Sequence, residues 1–156
     1  MARPDSLLKA IIAQIVIELK KLKTVNGYVT NVLDEAITTR YNDYASQTFP
    51  MYPSCYVALA STDSEQYPAR SVRRTAHFKL LFRFRAGLDA TLIDQTADLE
   101  TDLEYLFSQN IHLVTAAGVK LAALTKIGSL ETDRGLEDPD GQVVVDLEVV
   151  YHPTYS

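Results

Sequence analysis

Residues 72–86 alternate along almost their whole length. Val72, Arg74, Ala76, Phe78, Leu80, Phe82, Phe84 and Ala86 fall on one side, and Arg73, Thr75, His77, Lys79, Leu81, Arg83 and Arg85 on the other. A period of two is the period of a β-strand. Only Arg74 and Leu81 break the pattern, so the segment predicts a long strand with one core face and one basic face. Such a strand needs a sheet that is covered on one side and wet on the other, which is the habit of antiparallel sheets. Gly87 ends it.

Two helical patterns can supply the cover. Residues 6–23 carry Leu7, Leu8, Ile11, Ile12, Ile15, Val16, Leu19 and Leu22 as one apolar stripe, at helical spacing. Asp5 or Ser6 can cap its start, and Asn26-Gly27 can stop it. Residues 90–108 predict a second helix, opened by Asp89 and striped by Leu92, Thr96, Leu99, Leu103 and Leu106. Between them, 28–33 is β-prone and 34–53 reads as a long excursion with strand character at its edges. The aromatics Tyr41, Tyr44, Phe49 and Tyr52 argue that this excursion packs on something, because disordered segments are poor in them. Residues 54–60 predict a short strand and 61–70 a polar turn. After a connection at 111–118, strand 119–129, loop 131–141 and strand 143–151 predict a terminal hairpin. The order specifies one α+β domain over 1–156, a mainly antiparallel sheet with two helices on one face.

Familiar catalytic and metal-binding patterns are missing from the sequence. One cysteine, Cys55, excludes an internal disulfide framework and a Cys-rich zinc site. His77, His112 and His152 share no metal-ligand spacing, and no GxSxG, GxGxxG or P-loop occurs. We therefore expect no enzyme activity, no cofactor and no metal. Asp133, Glu137, Asp138 and Asp140 crowd the 131–141 loop, which could hold a hard cation but reads first as a solvated hairpin tip. The apolar runs fall far short of the ~20 residues that cross a bilayer, so no membrane partner is expected.

Charge is segregated rather than merely negative. The net value is -5, yet residues 70–85 hold Arg70, Arg73, Arg74, Lys79, Arg83 and Arg85 with no acid. Residues 131–148 hold seven acids against Arg134 alone, and no Lys or Arg occurs from 86 to 119. One expectation is pairing inside the sheet, Arg83 or Arg85 beside Asp146 or Glu148, at ~0.2–1 kcal/mol each. The other is that one copy's basic face meets another copy's acidic face. Such a head-to-tail contact closes into a ring when the rotation permits. Nucleic-acid binding through Arg73, Lys79, Arg83 and Arg85 ranks behind both, because the aromatics of that strand lie on its opposite face.

Three stretches carry a likeness. They are Leu-Lys-Lys-Leu-Lys-Thr-Val-Asn-Gly-Tyr-Val-Thr-Asn-Val at 19–32, Leu-Asp-Ala-Thr-Leu-Ile-Asp at 88–94, and the closing Val-Val-Tyr-His at 149–152. Set around a Pro50- and Pro53-bearing loop and the long alternating strand, this order resembles the tail terminator (tail completion) proteins of long-tailed bacteriophages, including the minor tail protein U type. The resemblance lies in element order and spans nearly the whole chain. It implies a virion protein of the tail–neck junction, one subunit of a ring of six. Such a ring stops growth of the tail tube, docks neck or head-completion proteins, and passes DNA as non-specific cargo. A neck or head–tail connector subunit is the related alternative, and a small-ligand or cation-binding module using the 131–141 loop the unrelated one. Arg73, Lys79, Arg83, Arg85, Asp146, Glu148, Tyr41, Tyr44, Phe49 and Tyr52 are the expected contact residues.

Overall fold

The computed structural model describes residues 6–40, 52–66, 72–85, 91–132 and 140–153. Helix α1 spans Leu7–Leu19, with the Ser6 hydroxyl accepting from the Lys9 amide at 3.4 Å. It ends earlier than the apolar stripe, because the chain tightens there, the Lys21 and Leu22 amides donating only three residues back to Glu18 and Leu19, and a 3₁₀ turn follows at Thr24–Asn26. Gly27, at φ +92°, closes that turn. Residues 28–33 are not a strand. Their donors go elsewhere: the Thr30 amide to Asp102 Oδ2 at 2.6 Å and the Val32 amide to the Leu22 carbonyl at 2.8 Å.

A two-residue strand β1, Ile37–Thr38, pairs in parallel with Cys55 and Tyr56 of β2, Ser54–Gln66. β2 is longer than 54–60: it continues through the expected turn, past an irregularity between Leu59 and Ser61. The partner dictates this. Strand β3, Val72–Arg85, extends far enough to give 61–66 a ladder from His77 to Val72.

Helix α2 spans Leu92–Ser108 and is capped by Thr91, whose Oγ1 accepts from the Asp94 amide at 3.2 Å. Asp89, the expected cap, lies outside the described residues. Strand β4 runs Leu124–Thr132, later than 119–129, because 109–123 folds back on itself through Asn110 and His112. There the Leu121 and Ala122 amides donate to the His112 carbonyl at 3.2 and 2.9 Å. β5, Asp140–Tyr151, completes the hairpin. The sheet order is β1-β2-β3-β5-β4, antiparallel except at β1. The fold is α+β, as the order of elements specifies.

Both helices lie on one face. Ile11, Ile15 and Leu19 of α1 and Leu99, Leu103, Leu106 and Phe107 of α2 join one core with Phe78, Leu80, Phe82, Val145, Leu147 and Val149. Burying each of the larger of these side chains contributes ~1.5–3 kcal/mol. β3 follows its predicted alternation: Ala76, Phe78, Leu80, Phe82 and Phe84 are buried, while His77, Lys79, Leu81 and Arg83 are half-buried on the other side.

Candidate interaction face of the sheet

The face of the sheet away from the helices carries most of the described candidate residues. Antiparallel register lines them up in rows across the strands. In one row Lys126 of β4, Glu148 of β5 and His77 of β3 stand side by side, with Ser61 of β2 next in line. Lys126 Nζ lies 3.3 Å from Glu148 Oε2, and Glu148 Oε1 lies 3.8 Å from His77 Nδ1. His77 Nε2 donates diagonally to Asp63 Oδ2 at 2.9 Å. Polar contacts thus run across the sheet from Lys126 on β4 to Asp63 on β2.

The next row sets Lys79 beside Asp146 in an ion pair, and the Ser129 hydroxyl donates to the other Asp146 oxygen at 2.5 Å. Hydrogen bonds from Lys79 and then from Ser129 hold the Asp146 carboxyl below its ordinary 3.8, with partial burial opposing them. These groups border a shallow trough of about 480 Å³. Further along, Tyr56, Leu81 and Val144 align as an apolar row on the same side. Leu81, which breaks the sequence alternation, therefore sits among matching neighbours.

The basic residues of β3 divide between two fates. Arg83 and Arg85 do not stand beside Asp146 or Glu148. The register puts them opposite Gln142 and Asp140, and gives the two acids to Lys79 and His77. The expected pairing of these arginines with the two acids is therefore not formed, and Lys79 and His77 take their place, because β3 and β5 meet four or more residues away from the alignment that would have joined the arginines. Arg85 instead lies over the Tyr52 ring, 4.5 Å from its centroid, a contact worth ~0.5–1 kcal/mol at an exposed position. Arg73 stands near the hairpin end of β3, opposite Glu65 in the ladder. Tyr41, Tyr44 and Phe49 lie outside the described residues, as do Asp133, Glu137 and Asp138 of the acidic loop.

Two buried acids organise the helical side and were not singled out by residue type. Glu18, 1% exposed, accepts from Gln14 Nε2 at 2.9 Å, Asn110 Nδ2 at 2.8 Å and Lys21 Nζ at 2.9 Å. It joins α1 to the turn after α2. Asp102, 7% exposed, takes the Val29 and Thr30 amides, and beside it Tyr28 meets Tyr105 edge-on at 5.9 Å. The signal was present: positions 14 and 18 fall on the apolar stripe of α1, and 102 on that of α2. A polar side chain on a core stripe must find partners there.

Chemically, the open face offers charged pairs and hydrogen-bonding groups. Among the described residues no three or more His, Cys, Asp or Glu side chains converge to hold a metal ion. Cys55 is buried in the core, and burial pushes its thiol well up, away from nucleophilic use. No helix among the described residues is long and apolar enough to cross a membrane. No protein-family model matches the chain, and no curated protein matches it.

Proposed function

We propose that this protein is a structural subunit of a ring, of the tail-terminator kind. Copies of it would cap a phage tail tube, end its growth and present a docking surface to neck or head-completion proteins, with DNA passing through the channel. The observation that carries the reading is the two-sidedness of the sheet. One face is sealed under two helices. The other is open and bears two charged rows beside an apolar one across β2, β3 and β5. A surface with this mixture of complementary charge and modest apolar area suits protein contacts better than phosphate binding. The net charge of -5 fits a conduit to which DNA should not adhere.

The test is native mass measurement of the purified protein together with negative-stain imaging. Rings with six-fold symmetry are the expected result. A chain that remains monomeric at high concentration, alone and with isolated tail tubes, overturns the proposal.

A further inference from the structure

Both lateral edges of the sheet end in strands that are paired on one side. β4 is the last strand on one side. On the other, β1 covers only Cys55 and Tyr56 of β2, so among the described residues no strand pairs with the outer edge of β2 from Val57 onward. Unpaired edges invite strand addition, and charges and bulges are the ordinary means of discouraging it. Here the charges and the bulges on the two edges are complementary to each other. The β2 edge bears Asp63, with its side chain 76% exposed, and the β4 edge bears Lys126, 56% exposed.

Strand polarity allows the two edges to meet. β2, β3, β5 and β4 are joined by three antiparallel steps, so β2 and β4 run in opposite directions. A neighbour placed by a simple repeat of the sheet therefore offers its β2 antiparallel to the first copy's β4. Setting Asp63 opposite Lys126 then brings Leu59 opposite Leu130. It also aligns the irregularity at Leu59/Ser61 with the one at Ile127/Leu130. Core-side residues meet core-side residues both before and after the bulges. A shift of one residue would set core-side residues against open-side ones on both sides of the bulges, and a shift of two would offset the bulges, setting Leu59 against Gly128 or Ser61 against Leu130.

We infer that copies of this chain join edge to edge, the β2 edge of one pairing with the β4 edge of the next, with Asp63 against Lys126 and Leu59 against Leu130. The inference rests on the ring reading and names its contact. Two different edges meet, so the contact is heterologous, the kind that closes into a ring or runs on as a filament. The chain of polar contacts Asp63–His77–Glu148–Lys126 then continues from one copy into the next, Lys126 of one meeting Asp63 of the other.

Disulfide trapping tests it. In one molecule, residues 63 and 126 sit three strand spacings apart, roughly 14 Å, beyond the reach of a disulfide. A bond between them must therefore join two copies. Asp63→Cys combined with Lys126→Cys is expected to give, on mild oxidation, a ladder of covalent multimers, while each single variant gives none. A second arm uses charge alone. Asp63→Lys and Lys126→Asp should each raise the concentration for half-assembly about fivefold at low salt, and the double reversal should restore it. Dimers from either single cysteine, or a six-copy wild-type ring with no ladder, overturn the edge pairing and leave the ring reading standing. A wild-type chain that never assembles overturns both.

Discussion

Asp146 is held by the groups around it, and those groups set how it responds to acid. Its carboxyl is lowered first by the Lys79 hydrogen bond and then by Ser129. A carboxylate whose folded pKa lies below its unfolded one stabilises the fold above the unfolded value, and that contribution disappears as pH falls through the folded value. Asp146→Asn should therefore lower the urea midpoint at pH 7, and its deficit against the wild type should shrink below pH 3.8. A deficit that stays constant on acidification would show that lost packing, not lost charge, is responsible. At this same scale the sequence was partly legible. Lys79, Asp146 and Glu148 stand out by their place in segregated runs, and the structure brings all three onto one face. Arg83 and Arg85 were equally visible, but which cation meets which acid depends on register, and register is a property of two strands rather than one.

Among the elements, segments with strong periods were readable and segments without them were not. β3 and the two helices follow the apolar positions of the sequence closely. The far half of β2 is a polar stretch, Ser-Thr-Asp-Ser-Glu-Gln at 61–66, and it becomes strand because β3 supplies a ladder. Conversely 28–33 has strand-like composition, but its Val29 and Thr30 amides are taken by Asp102 and its Val32 amide by Leu22, just past α1. Asp102 thus stands in for a missing strand partner. Replacing it by Ala leaves two amides of a half-buried segment without their acceptor, and should cost about 2 kcal/mol. Chemical denaturation measures that cost, and Asp102→Asn, which keeps one acceptor oxygen, should recover part of it. Equal loss in both variants would mean that the carboxylate charge, rather than the acceptor geometry, ties the segment to α2.

For the whole molecule, the described residues share one core, the condition under which small domains open as a unit, and Cys55 reports on whether this one does. Its side chain is fully buried and its thiol is pushed up by desolvation. Labelling by a thiol reagent should follow global unfolding, slowing in step with added stability; rapid labelling in native buffer would mean that β2 separates from β3 locally. The same scale explains where the sequence stops. Its alternation over 72–86 and its two apolar stripes determined an α+β sheet with helices on one face, because burial of apolar periodicity is a local instruction repeated along the chain. What only the tertiary structure decided was the set of cross-strand neighbours. The pairing of Lys79 with Asp146, the His77 position between two acids, and the opposite signs at the two sheet edges all depend on how distant strands are aligned. No single segment carries that information, since a strand's period determines which face a residue takes and leaves open which residue it meets.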